Sequence, residues 1–368
     1  MRKILLFLII FSIFSIFFNI FSNAQEIHEI DIPTPNCKLS DIVIDKENKI
    51  WFSEEATSKI GFFDIFSANI TEYNLNIPNI PKVDPVAIFI DKENNVWIAM
   101  KNANLVGRLN PNTLELKTWI LKEDLGINDL VIDKNGEVWL AGYKGKTIAK
   151  LNPKTGDITE IDIHGLAPTN LFLKDNYLWF TAPLNNTIAC FNLFDQIVTP
   201  YRLAINGKPK EIILDSNGFI WVTLPGVNGI GMLNPSTGEL KTYSIPTPNS
   251  EPYGLCIDSK GNIWFTEENG NKIAKLDPRS MKILEVTIPT PMAKPTSITI
   301  DNNERIWFIE ENGNKIAVLE IASLPSEKKE EGFPEIYLVI ILSAFIGVLS
   351  AFITYKFLKR KEAYKKRA

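Results

Sequence analysis

The chain has 368 residues, 45% of them hydrophobic and 22% charged, which is enough apolar material for a large core and excludes a disordered or collagen-like polymer. The formal net charge of −4 hides a division: residues 1–24 contribute +2 and residues 356–368 contribute +6, so −12 remains on residues 25–335. An acidic central region disfavours nucleic acid as a partner and favours cations or basic surfaces.

In chain order, Arg2 and Lys3 precede an apolar run over 4–21, and Ser22-Asn23-Ala24 supplies the small residues of a cleavage site. Residues 1–24 are therefore expected to be a signal peptide, with an uncleaved anchor as the alternative. The next stretch, EIHEIDIPTP at 26–35, matches the end of a repeat rather than its start: TYSIPTP stands at 242–248 and EVTIPTP at 285–291. It reads as a displaced outer strand.

The repeat is counted by its tryptophans, Trp51, Trp97, Trp139, Trp179, Trp221, Trp264 and Trp307, spaced by 46, 42, 40, 42, 43 and 43 residues. The unit is clearest at 251–278, where apolar runs at Gly254–Ile257, Ile263–Thr266 and Lys272–Leu276 are separated by turn residues and followed by Ile283–Ile288. A period of about 40–45 residues with four strands per copy is that of a propeller blade. The fold class is thus all-β: a seven-bladed β-propeller of four-stranded antiparallel blades over 25–322. Trp119 is off the period and reads as an outer-strand residue of blade two.

Local chemistry agrees. The first hairpin of a blade carries Asp, two polar residues and Gly, as at 133–136, 215–218 and 258–261, where Asp caps the turn and Gly supplies a positive φ. The repeated tryptophan is expected to fill the wedge between blades. The last unit has a third strand at 315–321 but no fourth, so 26–35 must complete it and close the ring. A charged linker over 323–335 leads to 336–355, 20 residues without a formal charge, long enough to span a bilayer. The basic tail 356–368 places the carboxyl terminus in the cytoplasm and the propeller outside.

Cys37, Cys190 and Cys256 cannot all pair in one chain. Cys190 and Cys256 read as buried strand thiols, and Cys37, in a loop, as a thiol that could react or pair between chains. Asn69 and Asn185 open Asn-x-Thr sequons, which mark glycan sites on an exported surface or chance matches.

The cadence IPTPN, then Pro252-Tyr253-Gly254-Leu255, then GNIWFTE at 261–267 and GNKIAKLDP at 270–278 resembles the virginiamycin B lyase, or streptogramin lyase, family of seven-bladed propellers. The similarity covers about 26–321. It implies metal-dependent opening of a cyclic depsipeptide by elimination, commonly with magnesium, through histidines in the Pro-His-[Gly/Ala]-Ile loops of the last two blades. The matching positions here hold Tyr253 and Thr296, and neither replaces an imidazole base near neutral pH. The only histidines, His28 and His164, fall in an outer strand and a loop.

Laying the blades side by side singles out one acidic sector. Three residues after the tryptophans stand Glu54, Met100, Gly142, Ala182, Leu224, Glu267 and Glu310, so the acids fall in blades six, seven and one. Glu55, Glu268 and Glu311 double them, and Glu251 and Asp41 enter from adjacent loops. Two explanations stand open: a divalent cation, magnesium or calcium, held by Glu54, Glu267 and Glu310, or neutralisation by Lys38, Lys272 or Lys294. The sequence thus predicts a membrane-anchored extracytoplasmic propeller that binds an unidentified ligand or protein at its channel mouth through Asp41, Glu251, Tyr253 and Thr296. A metal-dependent lyase or lactonase acting on a cyclic ester is the alternative, and a purely architectural subunit is the third reading.

Overall fold

A computed structural model describes residues 27–320. The described strands form seven four-stranded antiparallel sheets. Six blades, at 39–74, 85–120, 127–162, 170–202, 212–244 and 252–287, each run in sequence order from inner to outer strand. Their inner strands, with Pro295–Ile300 of the seventh blade, touch one another in a closed circuit. Trp119 stands in the outer strand of blade two and stacks on Trp97 at 5.3 Å between ring centroids.

The seventh blade is composite. Strands Pro295–Ile300, Ile306–Glu310 and Lys315–Leu319 are completed by Ile27–Asp31, with Ile27 opposite Leu319 and Asp31 opposite Lys315. Side chains reinforce this join. Asn314 donates its amide to the carbonyls of Ile32 and Thr34 (3.1 and 3.0 Å) and accepts the Cys37 N–H at 3.1 Å. Glu29 takes the Lys315 ammonium at 2.7 Å and both donors of Thr290, at 2.8 and 2.9 Å. Asn228 and Asn271 hold equivalent loops, and Glu285 and Glu72 grip Thr247 and Thr34 in the same way. The Ile-Pro-Thr-Pro segment, at 32–35, 245–248 and 288–291, is thus a strap that ties one blade to the next at these three junctions.

Each of the seven periodic tryptophans lies in a second strand between two sheets, and burying its ring requires an acceptor for the indole N–H. In six blades that acceptor is the aspartate six residues earlier: Asp45, Asp91, Asp133, Asp215, Asp258 and Asp301, at 2.8–3.2 Å. The second carboxylate oxygen caps the turn between them; that of Asp258 accepts the N–H groups of Lys260 and Asn262 at 3.0 and 2.8 Å. Blade four lacks this clamp because its inner hairpin turns directly through Asp175 and Asn176, and Leu173 stands six residues before Trp179.

The inner strands of blades one, two, three, six and seven carry a register shift near their start. In blades one and six a hydroxyl two residues after the tryptophan serves the irregularity: Ser53 accepts the Asp41 N–H at 3.0 Å, and Thr266 accepts the Gly254 N–H at 2.8 Å and donates to the Thr296 carbonyl of the next blade at 2.7 Å. Gly254 is required because a Cβ there would stand 2.4 Å from that carbonyl oxygen.

All three cysteines are buried and unpaired. Cys37 touches the Asn314 amide oxygen through sulfur at 3.1 Å, and burial, with Glu54 nearby, pushes its thiol up to about 12. The reactive alternative for Cys37 is therefore corrected: the loop folds under the closing strand, where a thiolate has no solvent. The expected signal segment, linker, membrane span and basic tail all fall outside the described residues, among which no helix is long and apolar enough to cross a membrane.

Replacing Asp258 by Ala leaves a buried indole N–H without its acceptor and uncaps a turn, and is expected to cost about 2–4 kcal/mol. Asp175→Asn in blade four, at an exposed left-handed position (φ 54°) that asparagine also adopts and without an indole partner, is expected to stay within about 0.5 kcal/mol. Urea unfolding of the two variants checks the difference.

Candidate functional site

The inner strands surround a cavity of about 640 Å³. Lys38, Glu55, Lys101 and Lys210 stand at the strand ends toward the mouth. Asp41, Asp129, Asn170, Glu211 and Ser297 lie further along the inner strands, and Val43, Phe89, Val131 and Leu173 line the next stretch. Charged, hydrogen-bonding and apolar groups thus follow one another in layers down the channel.

The polar layer is a chain of contacts between blades. Asp41 accepts the N–H of its neighbour Ile42 at 2.9 Å, the Ser297 hydroxyl of blade seven at 2.7 Å and the Ile88 N–H of blade two at 2.9 Å. Asp129 accepts the N–H groups of Leu130 and of Leu171 in blade four, both at 2.7 Å, and the Asn170 amide at 2.9 Å. Asn170 also donates to Glu211 at 3.1 Å and accepts the Ile212 N–H of blade five at 3.1 Å. Two of the three acids are therefore consumed in holding blades together. Glu211, with a single hydrogen bond from Asn170, keeps the most acceptor capacity for something else.

Enclosure sets the protonation of this layer. Burial pushes Asp41 up to about 6. It raises Asp129 to about 8, with Asp41 adding repulsion. Burial, then Asp129 and Asp41, hold Glu211 well above the ordinary carboxylate range.

Tyr253 faces the same cavity. The Lys210 ammonium sits over its ring, 3.3 Å from the centroid, and lies 3.3 Å from a Glu268 oxygen. Burial, followed by the charges of Glu211 and Glu268, drives the phenol upward, away from any role as a base near neutral pH. Thr296, the other position matched to a family histidine, is buried outside the channel wall with its hydroxyl lacking a partner. Glu251 sits beside the mouth in a left-handed conformation with φ 52°, where its carbonyl accepts the Glu268 N–H at 3.1 Å. His28 is exposed in the closing strand and His164 is exposed in a loop; neither lines the channel.

Glu54, Glu267 and Glu310 are fully buried and lie in three different sheets, each opposite a lysine of the third strand: Lys59, Lys272 and Lys315. The pleat turns each of them toward the face that holds Phe52, Phe265 or Phe308 and away from the channel. Their followers Glu55, Glu268 and Glu311 take the mouth instead, where Lys38 pairs with Glu55 at 2.7 Å and Lys294 with Glu311 at 2.8 Å and Glu268 at 3.5 Å. One Glu54 oxygen and both oxygens of Glu267 and of Glu310 lack a hydrogen-bond partner. Burial raises them to about 7, 8 and 8, with Glu72, Glu285 and Glu29 adding repulsion. Among the described residues no group of three or more His, Cys, Asp or Glu is placed to hold a metal ion. With an ammonium already in each surrounding, these three glutamates do not fit a shared divalent cation.

Glu211, Asp129, Asn170 and Lys210 were not singled out by counting from the tryptophans. A signal for them existed: aligned along the inner strands, Asp129, Asn170 and Glu211 fall where Asp41 falls.

Comparison with known proteins bears on the same region. Residues 79–327 match the virginiamycin B lyase family. Among solved structures, a streptogramin B lyase is similar at 28% identity with TM-score 0.74, covering 80% of this chain and 97% of that one. Virginiamycin B lyase from Staphylococcus aureus is similar at 26% identity with TM-score 0.74, as is its catalytically inactive variant with quinupristin, covering 80% of this chain and 99% of each. Comparison by sequence with curated proteins finds no match.

The raised carboxyls fix the sign of the pH dependence. A native acid with a pKa above its unfolded value retains a proton that the unfolded chain releases, so its contribution is complete below about pH 4 and is lost as pH rises through about 6 to 8. Groups held low, such as Glu72 and Glu285, titrate below this window. The propeller is expected to melt at lower temperature at pH 8 than at pH 5, with a ceiling of about 1.4 kcal/mol per pH unit for each raised group. The double variant Glu267→Gln, Glu310→Gln is expected to flatten that dependence; thermal unfolding across the range checks it.

Proposed function

The chain belongs to the virginiamycin B lyase family, and from that premise we propose that it is a binding propeller that takes a polar, cationic ligand at the mouth of its channel. The observation that carries this reading is the Lys210 ammonium over the Tyr253 ring, beside the enclosed Glu211 carboxyl, where the family resemblance places a catalytic histidine. A neutral phenol and an ammonium shield one another and abstract no proton. Glu211 offers an acceptor to an ammonium or guanidinium group, Asn128 adds an amide whose oxygen also takes the Lys101 ammonium at 2.6 Å, and Asp41 and Asp129 set the local charge. Because burial holds the Glu211 carboxyl well above the ordinary carboxylate range, a bound cation favours its ionised form, and affinity rises with pH as that proton is lost.

The propeller is further proposed to work outside the cell, tethered by 336–355 with its basic tail in the cytoplasm; the charge division of the sequence supports this orientation. The alternative, a metal-dependent lyase or lactonase, draws on the family alone and lacks an imidazole in the channel.

Titration calorimetry of the full-length protein in detergent, with a panel of alkylammonium and guanidinium compounds, is expected to find saturable binding that weakens about tenfold, ~1.4 kcal/mol, in Glu211→Gln. A panel without a binder, or a binder indifferent to Glu211, removes the reading. Incubation with quinupristin and magnesium or calcium is expected to leave the depsipeptide ring closed; ring-opened product establishes the enzyme instead.

A further inference from the structure

We propose that Asn69 carries an N-linked glycan and that the exposed ring of Phe66 is the platform against which its first sugar lies. This rests on the extracytoplasmic placement argued above. Of the two sequons, Asn69-Ile70-Thr71 begins the outer strand of blade one, an edge strand that pairs on one side only, and Asn69 is exposed. The turn before it is tightly specified. Asp64 pairs with Asn69, its carboxylate accepts the Phe66 N–H at 2.9 Å, its carbonyl accepts the Ala68 N–H at 2.8 Å, and Ala68 is left-handed at φ 55°.

That turn leaves Phe66 83% exposed, three residues before the sequon asparagine. An uncovered phenyl ring is unfavourable in water, and a pyranose offers the apolar C–H face that stacks on one. The equivalent turns give the comparison. At the Phe66 position they carry Asn112, Lys154, Phe194, Ser236 and Arg279, and at the Asn69 position Glu115, Asp157, Ile197, Glu239 and Lys282. Among these turns only blade one combines an aromatic ring with an acceptor asparagine. In the second sequon Asn185 accepts the Ala167 N–H at 2.9 Å, and Thr187 is buried with its hydroxyl donated to the Asn185 carbonyl at 2.9 Å. The hydroxyl that a sequon presents is committed there.

The reaction is transfer from a lipid-linked oligosaccharide phosphate. The Asn69 amide nitrogen forms a C–N bond with the anomeric carbon, the C–O bond to phosphate breaks with its electron pair leaving on the phosphate, and the amide gives up one proton. A glycan at this position also covers an open sheet edge against pairing with another chain.

Mass spectrometry of the full-length protein isolated from its own membranes reads the peptides that contain Asn69 and Asn185. The expected result is an oligosaccharide mass on Asn69, absent in Asn69→Gln, with Asn185 bare. Phe66→Ala, at a side chain outside the core, is expected to lower the melting temperature of the glycosylated protein by about 2 °C and to change the Asn69→Gln background by less than half of that. Bare Asn69 in protein that is cut by protease added to intact cells overturns this site alone. Bare Asn69 in protein shielded from that protease overturns the outside placement and the site with it. A glycan on Asn185 instead, or a glycosylated protein indifferent to Phe66, also overturns the proposal.

Discussion

The architecture depends on the indole N–H of a buried tryptophan finding an acceptor. A ring of that size fills the wedge between two sheets, but its polar atom is costly to bury alone, and the aspartate six residues upstream removes the cost. Because the same carboxylate caps the intervening turn, it fixes where the inner strand ends and the second begins. Repeated in six blades, this sets their inner strands at one height, so that Asp41, Asp129 and Glu211 come to the same level of the channel, and Asn170 of blade four joins that level through its bonds to Asp129, Glu211 and Ile212. The functional layer inherits its register from a core contact on the far side of each hairpin.

Charge follows from that geometry. The channel carboxyls are spent mainly on the N–H groups of the next blade, which is why an acidic ring around the axis stays compatible with a closed fold. Glu54, Glu267 and Glu310 belong to a different device, each opposite a lysine of the third strand that is itself bridged to a glutamate of the outer strand. The two sets share a residue type and almost a sequence position, yet they serve different interfaces.

Much of this was legible in the sequence, and the limits have physical causes. The tryptophan period gave the blade number, and the misplaced EIHEIDIPTP gave the closing strand, because both rest on local patterns that survive in one dimension. The turn-capping role of the aspartates was legible; their bond to the indole was not, since it spans a hairpin. Counting three residues past each tryptophan found acids but assigned them to the wrong face, because the pleat places Glu267 with Phe265 and only its follower Glu268 at the mouth. Glu211 was missed for the opposite reason: its alignment with Asp41 runs through the inner strands, where register shifts blur the count. The replacement of two family histidines by Tyr253 and Thr296 was visible at once, whereas the Lys210 ammonium over the tyrosine required the fold.

The composite seventh blade has a mechanical consequence. Ile27 and Leu319 face each other on one rung of an antiparallel pair, so tension drawing those two residues apart loads a single pair of hydrogen bonds at a time and peels the ladder toward Asp31 and Lys315. Such a seam is weak under pull although it is strong at rest. The Glu29 bridge to Lys315 and Thr290, and the Asn314 bonds just beyond it, sit where peeling must pass, and act as the catch that arrests it.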